Sequence, residues 1–235
     1  MRLLVTNDDG IGAAGIELLA KVAAKIGDVT VVAPGVEQSG MSHRITFDRP
    51  LKIKRQGSGD GQIFSVNGTP ADCVRIAIAT SEQDFDCVLS GVNDGANLGV
   101  DVFYSGTVAA AREAALLGLP AIAISQFRSK YAEPFDWDSQ EQVVERLLKT
   151  YLVDLKKEKP GWLNCNLPDP IDCDQQEPTF VECETDYQPL PNKYSESEDG
   201  FAMSFKYRDR SRKAGRDLDV CFGGNVAVCR FEIAL

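Results

Sequence analysis

The stretch that most constrains the fold is residues 1–35. Leu3-Leu4-Val5 is a short, unbroken apolar run, the pattern of a strand buried on both faces. It gives way at once to Asn7-Asp8-Asp9-Gly10. Apolar residues then recur at Ile16, Leu18, Leu19, Val22, Ala23 and Ile26. That spacing predicts a helix from about Ala13 to Ile26, stopped at Gly27. Val29 to Ala33 is a second β-branched run, closed by Pro34-Gly35. Strand, helix and strand in this order form a βαβ unit with a right-handed crossover, the building block of a parallel sheet clad in helices.

The pattern continues. Ile63–Val66, Phe85–Ser90, Pro120–Ser125 and Leu163–Leu167 read as further strands. Ile45 to Lys54 alternates loosely, and the glycines from Gly57 to Gly61 read as a hairpin loop. Thr69 as N-cap, Pro70 at the first helical position and Asp72 in the first turn start a helix that runs to about Thr80. Val108 to Leu117 is a compact, alanine-rich helix. Ser139 to about Lys156 carries an apolar stripe of Val143, Val144, Leu147, Leu148, Tyr151 and Leu152. The expectation is an α/β fold: a doubly wound, Rossmann-like, mostly parallel sheet over residues 1–169.

From Pro168 the character changes. Prolines, acids and polar residues dominate Asp169 to Gly200. Phe201–Tyr207 and Val226–Ile233 read as two strands joined by a connector, Ser211–Gly224. A two-stranded arm seldom holds together alone. Residues 170–235 are therefore expected to form an extension that packs on the body or pairs with another subunit.

Composition excludes several classes of function. Net charge is −10 and no Lys/Arg-rich run appears, so a basic footprint for long nucleic acid is absent. No apolar stretch reaches the roughly 18–20 residues that cross a bilayer. Asn7-Asp8-Asp9 interrupts what would be the apolar core of a signal peptide, so a cytoplasmic protein is expected. The seven cysteines are odd in number and form no Cys-x-x-Cys pair, which favours free thiols. The single histidine, His43, excludes a multi-histidine metal site.

Open α/β sheets bind ligands outside the carboxyl ends of their strands. Four polar loops belong there. Asp8 and Asp9 either share a hard cation, Mg²⁺ or Mn²⁺, or form an Asx turn that caps the next helix. Gly35 to His43 is either an ordinary turn or a second contributor, offering the Ser39 hydroxyl. In Ser90–Gly99, Asn93 can lend a neutral carbonyl oxygen to a cation and Asn97 can donate to a phosphate; the alternative is two left-handed turn positions. Ser105-Gly106-Thr107 opens a helix, where free amides and the dipole attract an anion and where Ser or Thr is also a plain N-cap. Together these groups suit a divalent ion and a phosphate. The chain has no Gly-x-Gly-x-x-Gly after the first strand, no P-loop and no Gly-x-Ser-x-Gly elbow.

Asn7-Asp8-Asp9-Gly10, Ser39-Gly40-Met41-Ser42, Gly68 to Cys73, Ser90 to Gly99, Tyr104 to Ala111 and Leu163 to Asp169 resemble, in that order, the motifs of the SurE family of survival-protein 5′/3′-nucleotidases. The resemblance spans roughly Met1 to Asp169. It implies a metal-dependent phosphomonoesterase that hydrolyses nucleoside 5′-monophosphates, and 3′-monophosphates as a further class, to nucleoside and phosphate. Position by position, it places metal ligands on Asp8, Asp9, Ser39 and Asn93, with Asp8 and Asp9 catalytic. The substrate-binding groups fall on Asn97, Ser105, Gly106 and Thr107. It also implies a homodimer or homotetramer with exchanged C-terminal segments. The chain departs from the family pattern at His43-Arg44, where small polar residues are more usual, and in the tail after Pro170.

The mechanism that follows is in-line attack of water on phosphorus, aided by Asp8 or Asp9. Attack by an aspartate carboxylate is the competing chemistry. Two other classes are open: a phosphate- or nucleotide-binding protein without turnover, and a receiver-like regulatory module. The latter needs an acceptor Asp after a central strand and a Lys after a later one. Ser90 and Ser125-Gln126 stand at those strand ends here.

Overall fold

The computed structural model of the protein describes residues 1–57, 62–131, 133–155, 161–173 and 177–233. Strand β1 (Arg2–Thr6) lies in the interior of a nine-stranded sheet and pairs in parallel with β2 (Asp28–Pro34) and β5 (Cys87–Asp94). Beyond β2 come β4 (Gln62–Val66), parallel, and β3 (Ile53–Arg55), an antiparallel edge. Beyond β5 come β6 (Ala121–Gln126) and β7 (Gly161–Leu167), both parallel. The sheet is therefore wound outward in both directions from β1, and the crevice between β1 and β5 is its switch point.

Alternation along the strands divides the core. Leu3, Val5, Val31, Cys87 and Leu89 face α1 (Ala14–Ala23) and α4 (Glu141–Leu155). Leu4, Val32 and Val88 face α2 (Pro70–Thr80) and α3 (Gly106–Leu116). Because successive side chains point to opposite faces, an unbroken apolar run serves both layers. Five alanines of α3 are fully buried, and their small side chains bring the helix close against the sheet. Helix α2 starts as expected: Thr69 and Asp72 exchange hydrogen bonds in a capping box with Pro70 at the first position.

Three expectations are revised. The alternating stretch Ile45–Lys54 yields only the short β3, because most of its residues are exposed and few of its apolar side chains, Leu51 among them, reach the core. Strand β5 runs past Ser90, and after a local irregularity Asn93 and Asp94 still pair with Ser125 and Gln126. The tail is divided differently from the expected arm. Its last strand, β11 (Val226–Glu232), joins the main sheet antiparallel to β7, and β8 (Phe180–Glu182) adds in parallel outside it. A small C-terminal hairpin does form, but between β9 (Tyr194–Ser197) and β10 (Gly200–Met203). The connector contains a helix, α5 (Asp217–Phe222), that packs Leu218, Cys221 and Phe222 against Leu98 and Phe127. Elements of three to six residues are too short to show a period. The expected loop at Gly57–Gly61 falls largely on residues outside those described.

No helix among the described residues is long and apolar enough to cross a membrane. All seven cysteines are free thiols.

Candidate active site

The site forms where the carboxyl ends of β1, β2 and β5 meet the start of α3. The β1 loop closes locally through Asn7 Nδ2, which donates to the Gly10 carbonyl at 2.8 Å. The β2 loop is tied to it by the Gln38 amide, which donates to the Asp8 carbonyl at 2.7 Å. Two loops far apart in sequence thus share one frame.

Asp8 is buried. Its Oδ1 accepts from the Thr107 hydroxyl at 2.5 Å. Burial pushes its carboxyl above the ordinary range, and the Thr107 hydroxyl together with the backbone amides of Asp8, Thr107 and Gly106 opposes that shift. The carboxylate sits at the positive end of α3, which favours its charged form. Gly106 makes the approach feasible: a Cβ there would lie 2.8 Å from the Asp8 Cβ and 2.9 Å from its Oδ2. Ser105 caps the helix, its Oγ accepting from the Val108 amide at 3.0 Å.

Asp9 is half-buried, and its Oδ2 accepts from the Asp94 amide at 3.0 Å. Burial first, and the neighbouring Asp8 charge second, push its carboxyl up to about 6. The pair is therefore strained electrostatically in the way a shared cation relieves. Asn93 turns its amide nitrogen to the Gly95 carbonyl at 2.6 Å, which leaves its side-chain oxygen on the opposite side. Ser39 is exposed and donates to Glu37 Oε1 at 2.7 Å, keeping the hydroxyl's lone pairs for another partner. Among the described residues no group of three or more His, Cys, Asp or Glu side chains could hold a metal ion. The available set is two carboxylates, one amide oxygen and one hydroxyl. An all-oxygen set of that kind suits a hard divalent cation that keeps several waters.

Asn97 is buried and held from all sides. Its amide donates to Asn166 Oδ1 at 2.8 Å and its Nδ2 to Ser125 Oγ at 2.8 Å. Its carbonyl accepts from Asn164 and Asn166 at 2.8 and 3.2 Å. These anchors are side chains of β6 and β7, so the loop is fixed by the sheet below it.

Asp8, Ser39, Asn93, Asn97 and Ser105 line one open crevice of about 860 Å³. Asp9, Gly106 and Thr107 stand outside its lining and act on it through Asp94 and Asp8.

Several residues bear on the site without any local signal in the sequence. Arg128, buried, donates through Nη1 to both oxygens of Asp94 at 2.8 and 2.7 Å, and so steadies the amide that holds Asp9. Phe135 and Tyr131 lie against its guanidinium. His43 fastens the Ser39 loop to α3. Arg112 Nε donates to His43 Nδ1 at 2.8 Å, so Nε2 carries the hydrogen and donates to Glu113 at 2.7 Å. The tail contributes a whole wall, including Tyr187, Leu190, Asn192 and Tyr207. It is pinned there by Asp217, which accepts from the amides of Gly99 and Asp186 at 2.7 and 2.8 Å, and by Arg210, which pairs with Asp101 at 2.6 Å.

Comparison with known proteins finds relatives over the whole chain. A relative from Nostoc sp., named as a provisional 5′-nucleotidase, is 41% identical over 239 residues, covering 99% of this chain and all of that one. The 5′-nucleotidase SurE of Nitrosococcus oceani is 49% identical over 169 residues, 72% of this chain and 64% of that protein. The crystal structure of the SurE protein from Aquifex aeolicus superposes with a TM-score of 0.82 at 30% identity, over 100% of this chain and 94% of that one. The profile of the family described as survival protein SurE matches residues 3–187, and the chain belongs to that family.

Proposed function

We propose that the protein is a divalent-metal-dependent 5′-nucleotidase, hydrolysing nucleoside monophosphates to nucleoside and inorganic phosphate. The observation that carries this reading is the seating of Asp8 on the first turn of α3, facing the same crevice as Ser39, Asn93, Asn97 and Ser105. The family membership and the named 5′-nucleotidase relatives support it.

Asp8, Asp9, Ser39 and Asn93 would hold one Mg²⁺ or Mn²⁺, which when bound supplies Lewis-acid polarisation of the phosphoryl group. The chain's own groups do the rest. The Asn97 side chain and the Ser105 hydroxyl, which line the crevice, bind the equatorial phosphoryl oxygens, where charge builds in the transition state, while Gly106 and Thr107 bear on the phosphate through the Asp8 carboxylate that they hold. Asp8 and Asp9 orient a water on the face opposite the leaving ester oxygen, and one of them takes its proton. Thr107 keeps Asp8 from rotating out of that role. Nucleoside 3′-monophosphates present the same reacting group and are the second substrate class to test. The expected assembly is a homodimer or homotetramer. The exposed Tyr194 and Phe201 on the β9–β10 hairpin offer apolar surface for a partner subunit.

Phosphate release from adenosine 5′-monophosphate, with and without added Mn²⁺, tests the reading. Metal-dependent turnover is expected, and Asp8→Asn and Asp9→Asn should each lower it by about 10²-fold or more with circular dichroism unchanged. Tight nucleotide binding without any release would make this a binding protein. Solvent ¹⁸O in the phosphate from the first turnover, with no trapped acyl phosphate, distinguishes water attack from a phospho-aspartate.

A further inference from the structure

The crevice has a second character away from its polar floor. Phe103 and Tyr187 both line it, yet stay 51% and 57% exposed, with ring centroids 6.1 Å apart and planes inclined by 35°. Leu190 and Met203 extend the same wall. Large apolar side chains left open inside a crevice mark a ligand surface.

The two rings come from segments far apart in the sequence, and the backbone beside each is held by hydrogen bonds. The Phe103 and Tyr104 carbonyls accept from the Ser42 hydroxyl and amide at 2.6 and 3.2 Å, strapping this turn to the Ser39 loop. Tyr187 follows Asp186, whose amide donates to Asp217 at 2.8 Å and whose carboxylate accepts from the Lys213 amide at 2.7 Å. Phe103 precedes the helix cap Ser105 by two residues, so their Cα atoms are at most about 7 Å apart. A phosphate beside Ser105 therefore lies near Phe103, and Tyr187 neighbours that ring on the same crevice.

Resting on the nucleotidase reading above, we propose that Phe103 and Tyr187 form a base-stacking subsite. It recognises the π face of a nucleobase and so selects nucleotides over sugar phosphates that lack a base. Every base has such a face, so the subsite is tolerant of base identity. It also gives the tail after Pro170 a part in substrate choice, since Tyr187 is fixed by contacts within that tail.

The test compares the full chain with Phe103→Leu, Tyr187→Leu and Tyr187→Phe. Leucine removes the π face at similar bulk, and phenylalanine keeps it. The substrates are adenosine 5′-monophosphate and ribose 5-phosphate, and adenosine binding is measured separately by calorimetry. Each leucine variant should lower kcat/KM for the nucleotide about ten-fold more than for the sugar phosphate, chiefly through KM. Each should weaken adenosine binding by a similar factor, while Tyr187→Phe behaves as the parent. Equal losses on both substrates, or unchanged adenosine affinity in both leucine variants, overturn the subsite. That pattern would instead assign the rings to contact with another chain. Should the parent release phosphate from neither substrate, the nucleotidase reading fails, and the adenosine measurement still decides the subsite.

Discussion

Asp8 is placed by its neighbours more than by its own loop. The Thr107 hydroxyl holds one oxygen, and the bare Cα of Gly106 leaves space for the rest of the side chain. Gly106→Ala tests that dependence. Alanine suits a helix better than glycine, so the local propensity improves. The added methyl nevertheless meets Asp8 at 2.8 Å, and either the carboxylate or the helix must move. A displacement of about 1 Å at a reacting centre costs on the order of 10²-fold. The variant should stay folded, lose about 1–3 kcal/mol of stability, and lose at least ten-fold in kcat. Urea unfolding and phosphate release read the two effects separately. Retained activity would mean that Asp8 need not approach the helix. Asp9 differs, since its partner is a backbone amide and its carboxyl is raised to about 6 by burial and the Asp8 charge.

At the scale of elements, α3 is the pivot. Its first turn touches Asp8, and Glu113 further along anchors the Ser39 loop through His43 and α2 through Arg75. Burial alone would raise the Glu113 carboxyl, but its hydrogen bonds to His43 and Arg75 and the Arg75 charge bring it below its ordinary value. A carboxyl lowered in the folded state stabilises the fold above its unfolded pKa of about 4.3 and loses that contribution as pH falls through the folded value. The parent should therefore exceed Glu113→Gln in stability by about 1–3 kcal/mol near neutrality, with the gap closing below about pH 4. Denaturant melts from pH 7 to 3 measure it. A gap that stays constant with pH would remove the charge from the account. Because His43 joins the Ser39 loop to this carboxylate, the same variant should raise KM more than it lowers kcat.

At the scale of the whole molecule, the proposed metal binding and assembly each have a thermodynamic test. A ligand that binds only the folded state raises stability by RT ln(1 + [L]/Kd), about 2.7 kcal/mol at a hundred times Kd. Mn²⁺ should therefore raise the melting temperature of the parent and do so far less for Asp9→Asn, and chelation should abolish turnover reversibly. Calorimetry with and without Mn²⁺ makes the comparison, and an identical rise in both proteins would move the metal elsewhere. Sedimentation should give two or four subunits. Phe201→Ser, which replaces a side chain left 73% exposed on the hairpin, should shift that equilibrium toward smaller species.

What the linear chain determined was local or periodic. Unbroken apolar runs marked the buried parallel strands, the 3.6-residue stripe marked α1 and α4, and Thr69-Pro70 marked a helix start, because each signal lies within one element. The loops bearing Asp8, Ser39, Asn93, Asn97 and Ser105 were legible for the same reason: parallel connectivity sends every such loop to one edge of the sheet. Only the tertiary structure decided that Thr107, 99 residues away, clasps Asp8, that Glu113 holds His43 across 70 residues, and that Asp217 secures Gly99 across 118. It also decided that the tail, whose short elements carry no period, walls the crevice with Tyr187 and Leu190. Side chains that meet only after the chain has closed on itself leave no regular mark along it.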